Sequence, residues 1–204
     1  MVDRPRRTQR ERTELTRAAL LSAGRRLFGM EGYASVGTER VAREAGLTRG
    51  ALYHQFPDKS ALFAAVLDQV EAEIADRMVT AVSGGLDPAD TIALLLAGAD
   101  AFLDACTEPD IQRIVLVDGP SVLGWERWRQ ICLNHSVGLV AGLLADGIQR
   151  GTIPIQPVDP LTHVLVGAID EAALYLARAA DPAKARTDVN LVLRRLAAAL
   201  TLPS

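Results

Sequence analysis

The sequence predicts an all-α fold for this chain of 204 residues. Apolar residues recur at three- and four-residue spacing, and helix-start signals recur as Thr-x-x-Glu and Asp-Pro steps. Strand-like alternation is scarce, the run Ile114-Val115-Leu116-Val117 being the main exception. With 49% apolar and 23% charged residues the chain has the balance of a globular protein of one or two domains, with a substantial core.

Residues 1–8, MVDRPRRT, read as a flexible basic arm. Thr8 and Glu11 have the spacing of a capping box, in which each side chain satisfies the other's backbone N–H. A first helix therefore starts there or at Thr13, carries Leu20, Ala23 and Leu27 on one face, and ends near Gly29 or Gly32. A second covers roughly 38–45 and a third lies within GLTRGALYHQFPDK, residues 46–59. Asp58 caps a fourth, where Leu62, Val66, Val70, Ile74 and Met78 repeat every four residues until Gly84-Gly85. Asp at the N-cap followed by Pro at the first helical position opens a helix, because proline's missing N–H costs nothing there. Three such steps, at 87–88, 159–160 and 181–182, predict helices over about 88–106, 160–180 and 182–201. Between them a short helix is expected at 109–117, a connection at 119–124, and a long helix over 125–150.

TERVAREAGLTRGALYHQF, residues 38–56, has the spacing of a helix-turn-helix. Small Ala42 lets two helices cross closely, Gly46 suits a left-handed turn, and Leu52 anchors the second helix on the first. With Val41, Leu47, Leu52 and Phe56 inside, the residues Thr48, Arg49, Gly50, Tyr53 and His54 fall at or near the outer face. In this motif the second helix enters the DNA major groove. Gly50 costs about 1 kcal/mol relative to Ala in a helix interior; a close approach of backbone to DNA gives it a use. Charge agrees with that reading. The chain carries a net −3, yet residues 1–60 hold 12 basic and 7 acidic side chains and the remainder 10 and 18, so a basic module precedes an acidic body.

From about Thr13 to Val70 the chain resembles the DNA-binding domain of the tetracycline-repressor (TetR) family of bacterial transcriptional regulators. The residues that carry the resemblance are Leu27-Phe28, Gly32-Tyr33, Ser35, Thr38, Val41-Ala42, Ala45-Gly46-Leu47, Gly50-Ala51-Leu52-Tyr53, Phe56 and Asp58-Lys59. It implies a DNA-binding domain over 1–58 and a helical ligand-binding and dimerisation domain over 59–204, joined by a long helix at 59–82. It implies phosphate contacts from Thr38, Lys59 and the His54 position, a backbone or thymine-methyl contact from Tyr53, and base or phosphate contacts from Thr48. Arg49 would read a base, since a guanidinium can bridge guanine O6 and N7. Arg4, Arg6 and Arg7 could reach the adjacent minor groove.

Residues 86–201 resemble the family's effector domain in layout alone. The apolar last two helices suggest a four-helix dimer interface through Leu161, Leu165, Ala168, Ala172, Val189, Val192, Leu193, Leu196 and Leu200. A homodimer could read a palindromic operator. Phe102, Cys106, Trp125, Trp128, Cys132, His135, Asp170 and Tyr175 are the candidate lining of a pocket for a small, mostly apolar effector whose binding releases DNA. VDGPSVLGWERW, residues 117–128, is expected to shape that pocket or its lid.

Other classes fit less well. A hydrolase using His135 or His163 would need a nucleophile motif, a metal spacing or a phosphate loop, none of which is in the sequence. An adaptor with a vestigial helix-turn-helix would not need Thr38, Arg49, Tyr53 and Lys59 together. No metal or cofactor is expected: Cys106 and Cys132 fit no metal spacing and read as thiols in a reducing cytoplasm. No apolar run is expected to reach bilayer length, and the Arg-rich N-terminus is not a secretory signal.

Overall fold

A computed structural model describes residues 8–201. The chain forms α1 (Gln9–Glu31), α2 (Thr38–Glu44), α3 (Arg49–Gln55), α4 (Lys59–Ser83), α5 (Thr91–Ala105) and α6 (Pro109–Ile111). A π-helical turn (Gln112–Asp118) follows, then α7 (Gly119–Leu123), α8 (Trp125–Arg150), α9 (Val158–Ala177) and α10 (Pro182–Ala199). There is no strand among the described residues.

The local signals act as expected at the N-terminal end. Thr8 and Glu11 form both halves of the capping box. Gly46 takes φ +68°, the left-handed turn that a side chain would resist, and releases the chain from α2 into α3. Val41, Ala42, Leu52 and Phe56 are buried, while Leu47 is half-buried. Asp58 caps α4 by accepting from the Ala61 backbone N–H at 2.7 Å. All five residues of the four-spaced stripe on α4 are buried, as the periodicity requires. Phe28, Tyr33 and Phe63 close this module with edge-on rings 5.2–5.4 Å apart and a tilted Phe28–Tyr33 pair.

Further along, three expectations need correction. The cap of α5 is Asp90, not Asp87, and Pro88 lies outside the helix. α9 starts two residues before Pro160, after Pro157. The connection expected at 119–124 is instead the short helix α7, whereas the helix expected at 109–117 is present as α6 and the π turn, which holds the strand-like Ile114-Val115-Leu116-Val117 run. Burial explains that run: Ile114, Val115 and Leu116 all face the core, so their lack of alternation reports a buried helix. Asp181 does cap α10.

α4 packs on α1 at one end and on α5 and α8 at the other, so the same helix belongs to the reading module and to the body. By length and composition alone α8 reaches the requirement for a membrane span, contrary to the expectation above. Its place here is against α4, α5 and α9, with Arg129 paired to Asp170 and His135 to Asp68.

Candidate DNA-reading face and effector cavity

The anchor of α3 is Leu52, fully buried, and the outer face carries Thr48, Arg49, Gly50, Tyr53 and His54, all exposed. Thr48 caps α3, its hydroxyl accepting from the Ala51 N–H at 3.2 Å. The Tyr53 phenol and the Thr38 hydroxyl are 3.2 Å apart, linking α3 to the first turn of α2. Arg49 lies over the Tyr53 ring at 5.4 Å and donates to the Glu39 carboxylate at 2.6 Å. The Thr38 hydroxyl, then Arg49, hold the Tyr53 phenol below its ordinary pKa. Nothing inside the protein requires a glycine at 50: an added Cβ would meet only the Thr48 hydroxyl, at 3.9 Å.

Lys59 differs from the rest. Its ammonium sits 4.0 Å above the Tyr33 ring and is half-buried, and burial lowers its pKa. A phosphate would have to draw it off the ring. Arg4, Arg6 and Arg7 lie outside the described residues.

The reading head is also attached to the body by contacts that sequence periodicity did not reveal. Asp118, at the end of the π turn, accepts from the Tyr33 backbone N–H at 2.8 Å. Arg25 of α1 pairs with Glu73 of α4 and with Asp110 of α6. At Gly29 an added Cβ would fall 2.6 Å from the Asp110 Cβ, so α6 leaves no room for a side chain on α1 there. These are single polar groups and one glycine on segments distant in sequence, with no motif to announce them.

In the body, a small apolar cavity opens between α4, α5, α8, α9 and α10. Met78, Leu95, Leu139, Leu143 and Ile169 are among its lining, and every lining side chain is apolar. None of the eight residues expected from the sequence lines it. Phe102, Cys106, Trp128 and Cys132 are core residues, whereas Trp125 and Tyr175 are exposed. Trp128 donates its indole N–H to the Val115 carbonyl at 2.8 Å, seated against Gly119, where a Cβ would come within 2.6 Å of the ring. Residues 117–128 thus fix the core and the head–body contact rather than the wall of this cavity.

Cys132, His135 and Asp170 belong instead to a polar seam between α4, α8 and α9. His135 meets Asp68 at 2.9 Å, and Asp170 pairs with Arg129. The seam contains Glu71, which the sequence reading missed: it continues the buried apolar row of Phe63 and Leu67 on α4, is 3% exposed, and leaves its Oε1 without a partner. Burial pushes its carboxyl up to about 7, opposed by the Cys132 thiol and helped by Asp170. Burial likewise raises Asp170 to about 6 against the pull of Arg129, so that group stays ionised at neutral pH. A carboxyl in an apolar stripe was the available signal. Burial also raises both thiols, Cys106 and Cys132, so neither is a reactive thiolate.

The expected dimer residues divide. Leu165, Ala168, Leu193, Leu196 and Leu200 line the cavity, and Ala172, Val189 and Leu161 pack on the protein's own core. Of the nine, Val192 and Leu196 are exposed, and Val164, Tyr175 and Leu191 join them as exposed large apolar residues on α9 and α10. Because α9 is apolar almost all round, periodicity alone could not say which side turns inward.

A helix-turn-helix head on a helical body with an apolar cavity defines a DNA-binding transcriptional regulator. The family comparison agrees. Residues 20–66 match the model of bacterial regulatory proteins of the tetR family, and residues 92–200 match the tetracyclin repressor-like C-terminal domain, so the chain belongs to the TetR family. A crystal structure of a TetR-family transcriptional regulator from Pectobacterium atrosepticum is 33% identical, with a TM-score of 0.81, and the match covers 97% of this chain and 99% of that one. The probable HTH-type transcriptional regulator ArpR of Pseudomonas putida is 38% identical over 73% of each chain. The HTH-type transcriptional repressor Rv1474c of Mycobacterium tuberculosis is 28% identical over 86% of this chain and 90% of its own length.

Proposed function

We propose that the chain is a repressor that binds a palindromic operator as a homodimer and leaves it when a small, mostly apolar effector binds. The observation that carries the DNA reading is the outward face of α3. Arg49, Gly50, Tyr53 and His54 are presented to solvent while Leu52 holds the helix rigid from behind. In such a complex Arg49 contacts a base edge, Thr38, Thr48, Tyr53 and His54 contact the backbone or neighbouring bases, and Lys59 contributes if it leaves Tyr33. Two copies joined through α9 and α10 would place two recognition helices on half-sites about 34–36 Å apart, or multiples of that.

The effector occupies the apolar cavity rather than the polar seam. The cavity is walled by apolar groups alone, and Met78 puts the linking helix α4 in that wall. A ligand there shifts the spacing of the heads only if it prefers one tilt of α4 to the other.

Selection of bound fragments from random DNA should recover a palindrome. The double variant R49A/Y53A should lose that binding while keeping its dimer mass; retained specific binding would put the reading face elsewhere. Apolar ligands that bind the body should release labelled operator, and unchanged or tighter DNA binding with ligand in place would reject the release mechanism.

A further inference from the structure

Glu39 is out of place on a DNA-facing surface. It is the second residue of α2, its side chain is 70% exposed, and it accepts from Arg49, itself 60% exposed, at 2.6 Å. A pair this exposed contributes little to stability, and a carboxylate on this face repels phosphate. Its effect must therefore be sought in the complex. The guanidinium of Arg49 lies between the Glu39 carboxylate and the Tyr53 ring, and Tyr53 is tied through its hydroxyl to Thr38. Both supports stand on helices pinned together by buried Ala42 and Leu52. These contacts bias Arg49 toward one orientation before DNA arrives, which lowers the ordering cost of binding. Arginine has five N–H groups, so donation of one to Glu39 leaves donors for the O6 and N7 acceptors of a guanine.

We propose that Glu39 is a positioning residue that makes Arg49 a guanine reader instead of a phosphate contact. The inference rests on the reading of α3 as the recognition helix. In the free and bound protein the carboxylate holds the guanidinium over Tyr53. It also opposes the swing toward the DNA backbone, where Arg49 would bind without regard to sequence.

Base preference across the half-site, measured by selection and sequencing for the wild type, E39A, E39Q and R49A, tests this. R49A should flatten one guanine position. E39A should lower the preference at that same position by about 3- to 5-fold, the most that an exposed ion pair supports. Its affinity for unrelated DNA should rise and its salt dependence steepen by about one phosphate contact. E39Q should restore most of the preference, because its amide oxygen still accepts from Arg49. An unchanged preference in E39A, or a loss at a different position from R49A, overturns the proposal. Unaltered thermal melting of E39A, expected from the exposure of the side chain, separates the effect from misfolding. A wild type that selects no recurring sequence would instead defeat the DNA reading beneath it.

Discussion

Two single residues carry most of what is unusual here, one on the surface and one inside. Gly50 has open space around it, so Gly50→Leu should melt within a few degrees of the wild type while losing operator binding, because the new side chain stands between backbone and groove. Melting curves and a gel-shift titration read the two effects apart; wild-type DNA affinity in the variant would mean that α3 does not enter the groove. Glu71 is the interior case. Its carboxyl titrates near 7 in the folded chain and near 4.5 when unfolded, so the folded state holds the extra proton between those values. Stability from this group is therefore fully present below about 4.5 and declines as pH rises through 7, by roughly 3 kcal/mol at 1.36 kcal/mol per pH unit. Asp170, raised to about 6, adds a slope of the same sign. Glu71→Gln should flatten most of the decline in urea-denaturation stability measured from pH 5 to 8, and an unaltered slope would show that Glu71 is ionised in the fold. Neither residue is cryptic in the sequence: a glycine inside a short helix and an acid inside an apolar stripe both break a local rule.

Helix starts with strong local signals were legible, and α8 runs over 125–150 as expected without a side-chain cap, but starts decided by packing were not legible. α1, α4 and α10 start where Thr8, Asp58 and Asp181 bond backbone N–H groups, and a cap is a contact within four residues. At 87–91 two aspartates compete for the same start; Asp90 caps the helix, and Thr91 and Leu94 just after it are buried in the body. α6 and the π turn depend on partners far along the chain, Arg25 against Asp110 and Tyr33 against Asp118, which no window of sequence contains, and α7 leans on Trp128 of the following helix. The same limit hid which residues line the apolar cavity, because which wall a Trp or Cys faces is settled by neighbours tens of residues away. This segment should be sensitive to small changes. Gly119→Ala places a methyl group against the Trp128 indole and the Ile114 carbonyl, both of them held by their own contacts. Overpacking of that kind costs about 1–3 kcal/mol, and denaturation followed by tryptophan fluorescence should show it. A fully stable variant would mean that α7 can slide away from α8 without loss.

Two routes join the reading head to the body: α4 itself, and the contact of α1 and the α1–α2 loop with residues 109–118. A head held at two points cannot tilt independently of the body, so a change at the cavity wall on α4 has to move both or break one. That arrangement matters only if two heads are held at a set spacing, which a monomer cannot do. The face available for pairing includes Val164 and Tyr175, eleven positions or three turns apart on α9, and Val192 and Leu196, one turn apart on α10. Exposed apolar residues in number on adjacent helices mark an interaction surface, and the matching face on a second copy would bury them around a two-fold axis. A carboxylate at two of these sites would be desolvated in the dimer but solvated in the monomer. V164E/V192E should therefore sediment as a folded monomer with the wild-type helical content. Its affinity for an isolated half-site should be unchanged, while its affinity for the full palindrome should fall to that half-site value, since the linkage between heads is what raises it. A variant that stays dimeric would move the interface off this face, and a monomer with undiminished palindrome affinity would show that the two heads act separately.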